Sequence, residues 1–223
     1  MTHRSKKNNT VLVLDLDDTL YKEADYVLSG INHIAELLKK TMQQDIKEKL
    51  LSFHQSSPQG DFIELACQLT ALPPSSKESL LWAYRTHHPS IGLDDETKQW
   101  LKRCKKEYHT IAILTDGRAI TQRLKISALG LSDIPAYISE EWDSIKPDKK
   151  RFNAIQEKWA TNHYIYIGDN PKKDFIAPNE LKWSTFCLKA NKKNIHPQEI
   201  SHTNDSYKPH YFIDSLSEIE FIQ

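Results

Sequence analysis

Asp15, Asp17 and Asp18 follow directly on an apolar run in the stretch Thr10-Val11-Leu12-Val13-Leu14-Asp15-Leu16-Asp17-Asp18-Thr19-Leu20-Tyr21. Short runs rich in valine and leucine read as buried strands of a parallel sheet. Carboxylates clustered at the end of such a strand repel one another. They cannot all stay ionised without a cation or a shared proton. A metal ion resolves that cost most simply. The stretch therefore points to a carboxylate–metal site at the carboxyl end of the first strand, where open α/β sheets bind their ligands.

Three further strand ends carry polar groups. The apolar run His109–Leu114 leads into Thr115-Asp116-Gly117-Arg118. Lys146-Pro147-Asp148 follows a short strand at 136–139 and a loop, and Tyr164–Ile167 leads into Gly168-Asp169-Asn170-Pro171-Lys172-Lys173-Asp174. Each piece alone is commonplace, as a turn or a solvated loop. In a parallel sheet, however, all carboxyl ends point the same way, so these groups can converge.

The elements that must position them follow from periodicity. Tyr26, Val27, Ile31, Ile34, Leu37 and Leu38 recur at three- and four-residue spacing and predict a helix over 24–42. A short helix is expected over 43–53. Another, using Phe62, Leu65, Ala66 and Leu69, stops before Pro73-Pro74. Ser75-Ser76-Lys77-Glu78 reads as a capping box opening a further helix. From Leu93 onward strands and helices alternate. A helix opens at Asp94-Asp95-Glu96; another, Ala119–Leu129, is closed by Gly130. A helix around Phe152, Ile155 and Trp159, one over 175–181, strands at 183–188 and 211–213, and a terminal helix over 215–221 complete the pattern. Residues 189–209 read as a polar surface loop. This alternation predicts an α/β fold with a doubly wound, mainly parallel sheet. It is formed by 1–21 and 93–223, with 22–92 as an inserted α-helical cap domain.

Composition narrows the function classes. Lysine plus arginine equals aspartate plus glutamate at 30 each in 223 residues, so no basic field invites nucleic acid. No apolar stretch reaches the ~20 residues of a membrane span. The polar, basic beginning (Arg4-Ser5-Lys6-Lys7) does not resemble a secretion signal. Cys67, Cys104 and Cys187 are odd in number and widely spaced, which fits reduced thiols in a cytoplasmic protein, a monomer or homodimer.

The set of strand-end motifs resembles the haloacid dehalogenase-like (HAD) hydrolase superfamily, whose members are mostly magnesium-dependent phosphatases. Asp15-Leu16-Asp17-Asp18-Thr19 is similar to its first motif, Asp-x-Asp-x-Thr. Thr115 stands for the second-motif Ser/Thr, Lys146 for the third-motif lysine, and Gly168-Asp169 with Asp174 for the fourth. The resemblance spans nearly the whole chain, helical insertion included. It implies a HAD-like Rossmannoid core, with Asp15 as nucleophile forming an aspartyl-phosphate and Asp17 as general acid and base. It implies Mg2+ held by a carboxylate oxygen of Asp15, the backbone carbonyl of Asp17 and Asp169. The Thr115 hydroxyl and the backbone N–H groups of Asp116 and Gly117 would hold the phosphoryl oxygens. Lys146 would offset negative charge, and Asp174 would orient Lys146 or the metal's waters. Asp116 stands where many members have asparagine; a role through its backbone makes that departure of little consequence. Dehalogenases of the superfamily lack an acid two residues after the nucleophile, so Asp17 favours phosphoester chemistry.

The expected activity is hydrolysis of a small phosphorylated metabolite. A phosphosugar mutase would share the aspartyl-phosphate, and a phosphoacceptor domain or a non-catalytic interaction protein are the readings from other classes. Of the neighbouring residues, Asp18 and Thr19 read as turn helpers, Arg118 as a surface ion pair, and Trp142 and Asp143 as packing and loop. Tyr21, Glu23 and Tyr26 lie at the junction with the insertion, where clefts form.

Overall fold

The computed structural model describes residues 9–190, 198 and 204–219. The basic stretch at 4–7, most of the expected 189–209 loop and the end of the expected terminal helix lie outside them.

Six strands form one parallel sheet: β1 (Thr10–Leu14), β2 (Thr110–Thr115), β3 (Ala136–Ile138), β4 (His163–Gly168), β5 (Ser184–Leu188) and β6 (Tyr211–Ile213). Their order is β3-β2-β1-β4-β5-β6. β1 is buried at every residue, which is why its sequence is continuously apolar. Its side chains still alternate between faces. Leu12 and Leu14 join a core with Trp100, Ile113, Ile126 and Ile167. Val11 and Val13 join another with Phe152, Ile155, Tyr166 and Trp183. Leu14 lies level with Ile113 of β2 and Ile167 of β4. The chain therefore leaves all three strands at one edge of the sheet. Strand order reverses across β1, making that edge the switch point of the topology.

Four helices, α1 (Glu23–Met42), α2 (Lys47–Ser56), α3 (Phe62–Leu69) and α4 (Ser76–Thr86), stand between β1 and the rest. They bury a core of their own around Ile31, Ile34, Leu38, Leu50, Ala66 and Leu80. Asp18, in the left-handed region at φ 55°, turns the chain out of the sheet, and its carboxylate accepts from Glu23 N–H at the start of α1. The remaining helices are α5 (Asp95–Glu107), α6 (Ala119–Ala128), α7 (Ser139–Trp142), α8 (Lys150–Lys158) and α9 (Ile176–Glu180). Trp100 and Ile126 place α5 and α6 on one face; Phe152 and Ala177 place α8 and α9 on the other. The fold is thus α/β, doubly wound around a parallel sheet. No helix among the described residues is long and apolar enough to cross a membrane.

Several local expectations are corrected. The short helix runs Lys47–Ser56 rather than 43–53, because Gln43 at φ 56° closes α1 in a left-handed turn. Ser75 makes no side-chain cap bond at α4. The backbone turns Ser76 N–Pro73 O and Lys77 N–Pro74 O already satisfy those groups. The real caps are Asp61 on α3 and Asp94 on α5, accepting from Glu64 N and Thr97 N. In place of a helix over 215–221, the described residues show a 3₁₀ turn, Leu216–Glu218, with a Ser215/Glu218 capping box. α7 was not foreseen.

Candidate active site

The strand-end groups converge. Asp15 leaves β1 with its N–H on Ile167 O at 2.9 Å, and its Oδ1 accepts from Lys146 Nζ at 2.8 Å. The same Nζ lies 2.7 Å from Asp174 Oδ1 and 3.2 Å from Tyr166 Oη. Asp174 Oδ2 accepts from Asn170 N–H at 2.8 Å, so both its oxygens are engaged. Gly168 makes room for it: a Cβ there would stand 2.5 Å from Asp174 Oδ2.

Carboxylate oxygens of Asp15, Asp169 and Asp174 all lie within 4.8 Å of one another, and all three residues are buried. Burial pushes the Asp15 carboxyl up to about 6, with the Asp174 charge adding to it and Lys146 opposing. Burial and then the charges of Asp15 and Asp174 push Asp169 up to about 8. Lys146, despite burial, is held well above the ordinary lysine value by those carboxylates. Asp169 Oδ2 is buried and has no hydrogen-bond partner. An orphaned oxygen beside two further carboxylates suits a hard divalent cation with oxygen ligands. A side chain from Asp17 is not part of this trio.

The Asp17 carboxylate turns elsewhere. Its Oδ1 accepts from Tyr21 Oη at 2.5 Å and Lys125 Nζ at 2.7 Å, and its Oδ2 from Gln122 Nε2 at 2.8 Å. Burial would raise this carboxyl, but Lys125 and the three hydrogen bonds outweigh it and hold it low. Glu23, close by, is pushed up to about 7 by burial and the Asp17 charge. Tyr26 lies beside Lys125, whose Nζ is 4.2 Å from the ring centre. Tyr21 also lines a cavity of about 360 Å³ with Lys22, Gly92 and Asp94, between the two crossings into and out of the helical insertion.

Thr115 ends β2 with its Oγ1 accepting from Gln122 Nε2 at 2.7 Å. The following loop differs from expectation in two ways. Gly117 N–H donates to Ser139 Oγ at 2.9 Å, so this amide is engaged by α7 rather than held open for a phosphoryl oxygen. The Asp116 side chain, expected to be incidental, is a junction. Its Oδ1 accepts from Arg151 Nη2 at 2.5 Å and Lys146 N–H at 3.2 Å, and Lys173 Nζ lies 3.5 Å from its Oδ2. Burial opposes ionisation of Asp116, but Lys146, Lys173 and Arg151 prevail and hold its carboxyl low. Arg151 is fully buried and also donates to Thr115 O and Tyr137 O. It pins the loop to the ends of β2 and β3. Arg118 pairs with Glu140 on the surface, and Trp142 packs on Tyr137.

Gln122, Lys125, Ser139, Arg151 and Tyr166 were not foreseen. A signal existed for three of them. Gln122, Lys125, Ile126 and Leu129 share one helix stripe, as do Arg151, Phe152 and Ile155. A polar residue set in an apolar stripe is buried at a cost and must have a partner.

Residues 12–187 match the family model described as haloacid dehalogenase-like hydrolase. A search among curated proteins returned no match. Solved structures that resemble the chain include the HAD hydrolase YfnB from Bacillus subtilis bound to magnesium, with 19% identity, 96% of this chain and 97% of that one covered, and a TM-score of 0.60. A HAD phosphatase from Thermococcus onnurineus matches with 19% identity, 96% and 97% coverage and a TM-score of 0.58. A 2-haloacid dehalogenase from Pseudomonas syringae pv. Tomato DC3000 matches with 18% identity, 94% and 96% coverage and a TM-score of 0.58. At such identities these likenesses speak for the fold. The family match, which takes in the strand ends from Asp15 to Asp174, makes this chain a member of the haloacid dehalogenase-like hydrolases, and so an enzyme.

Proposed function

We propose that the chain is a magnesium-dependent phosphatase acting on a small phosphorylated metabolite. The observation that carries this reading is Asp17. A carboxylate two residues after the nucleophile position, its side chain 18% exposed and held by Lys125, Gln122 and Tyr21, is placed to move a proton. Loss of halide needs no such group, whereas loss of an alkoxide does.

Asp15 attacks phosphorus through a carboxylate oxygen and the ester oxygen departs, taking a proton from Asp17. Water then attacks the aspartyl-phosphate while Asp17 takes a proton back, releasing phosphate and restoring Asp15. Lys146 keeps Asp15 and the arriving phosphate from repelling one another. The Thr115 hydroxyl and the Asp116 amide hold phosphoryl oxygens, and Asp174 holds Lys146 in place. Asp15, Asp169 and the backbone carbonyl of Asp17 would hold Mg2+, which supplies charge neutralisation at the transferring group. The orphaned Asp169 Oδ2 and the raised carboxyls of Asp15 and Asp169 support that assignment. Residues 22–92 form the cap domain, and its position over the sheet edge gives it the choice of substrate.

The test is phosphate release from a panel of phosphorylated metabolites, with magnesium and with chelator. Turnover is expected only with the metal, and Asp15→Asn should remove it, a loss of at least about 10⁴-fold. Halide release from 2-haloacids without any phosphate release would overturn the reading.

A further inference from the structure

We propose that Gln122 and Lys125 are positioning residues for the leaving-group acid, fixing the direction in which the Asp17 carboxylate faces. The role of Asp17 rests on the phosphatase reading; how it is held rests on geometry. Gln122 and Lys125 lie three positions apart on α6 and so share one helix face. They are only 1% and 4% exposed. Lys125 Nζ binds one oxygen of Asp17 and Gln122 Nε2 binds the other. Two oxygens tied to one helix leave the carboxylate no free rotation.

The Gln122 amide has only one workable orientation. Its Nε2 faces Asp17 Oδ2, Thr115 Oγ1 and Asp116 O, at 2.8, 2.7 and 3.0 Å. The carboxylate and the carbonyl can only accept, so a reversed amide would set oxygen against oxygen. One NH₂ group therefore links the acid to the loop that receives the phosphoryl group. Gly117 is part of the arrangement, since a Cβ there would lie 3.0 Å from Gln122 Cγ. Lys125 reaches further, under the Tyr26 ring of the helical insertion.

The test compares glycerol 2-phosphate, whose alkoxide needs a proton to leave, with p-nitrophenyl phosphate, whose phenolate does not. Lys125→Met and Gln122→Met should each lower kcat on the alkyl ester about 100-fold. The loss on the aryl ester should be at least about tenfold smaller. Lys125→Arg, which keeps the charge, should recover most of the alkyl activity. Equal losses on both esters, or none, overturn the proposal. Gln122→Met leaves the Lys125–Asp17 pair intact and serves if Lys125→Met fails to fold. Crystal structures of the variants with magnesium read the same point without turnover: Asp17 should lose its single orientation while Asp15, Thr115 and Lys146 stay. An unmoved Asp17 overturns the proposal. A wild-type chain that releases phosphate from neither ester nor any member of the metabolite panel defeats the phosphatase reading instead, and the crystallographic result then decides the positioning alone.

Discussion

Arg151 carries a full charge at zero exposure, and Asp116 gives it a counterion. Burying a guanidinium costs several kcal/mol unless it is paired and hydrogen-bonded. Here two carbonyls and one carboxylate engage Nη1 and Nη2, while the buried Nε has no hydrogen-bond partner among the described residues. The pair should therefore behave as a unit. Arg151→Met alone is expected to destabilise the chain by about 3–5 kcal/mol, because Asp116 loses its shortest ion pair and the carbonyls of Thr115 and Tyr137 lose their buried donor. Asp116→Asn with Arg151→Met should cost clearly less than the sum of the two single changes. Urea unfolding of the four proteins measures this; additive costs would show that the two side chains act separately.

At the scale of elements, the packing of α1 on α4 sets two known effects against each other. Gly30 lies mid-helix in α1, where alanine would ordinarily gain up to about 1 kcal/mol in helix propensity. A Cβ at Gly30, however, would stand 2.1 Å from Tyr84 Cε2. That ring, partly exposed, packs against Tyr26, Phe62 and His87, so shifting it breaks those contacts. Overpacking of this kind costs about 1–3 kcal/mol, so Gly30→Ala should lower thermal stability rather than raise it. A rise in Tm would show that Tyr84 can yield.

Elements of this kind also show what the sequence made legible. β1, β2 and β4 were readable because a strand buried on both faces leaves a continuous apolar run, and α6 because Gly130 marks its end. The strand-end aspartates, Thr115 and Lys146 are each commonplace alone; it was their order behind successive strands that predicted their convergence, and Asp15, Lys146 and Asp174 do meet. α7, a single turn, carries no period, so the engagement of Gly117 by Ser139 left no trace. Gln122, Lys125 and Arg151 stand out as polar residues in apolar helix stripes, but the sequence does not say which partners they take. Asp17 lies 105 and 108 positions from Gln122 and Lys125, and Asp116 lies 35 from Arg151, so only the fold brings these pairs together.

For the whole molecule, the buried carboxylates tie stability to pH and, on the proposed function, to the metal. Asp15 and Asp169 have folded-state values of about 6 and 8, above those of an unfolded chain, near 4. The folded state thus holds its protons more tightly. That contribution is full below about pH 4 and is lost as pH rises through 6 and then 8. Metal-free protein should weaken across that window. On the proposed function, magnesium would take the place of the protons and bind the folded chain alone, which would add about 2.7 kcal/mol at a hundredfold excess over Kd. The gain in Tm on adding magnesium is therefore expected to grow from pH 5.5 to 8.5. A gain that is flat with pH, or absent, would place the cation away from these carboxylates.

The central place of β1 has a further consequence, for synthesis. Both of its neighbours, β2 and β4, come after the whole stretch 15–109. At the ~5–20 residues per second of translation, this apolar strand waits roughly 5 to 20 seconds for its first partner. Helices need only near neighbours and form in microseconds or less, so α1–α4 can assemble while β1 is still alone. During that interval Thr10–Leu14 is the nascent chain's sticky end, and the helices made meanwhile are the nearest surface that can shelter it from other chains.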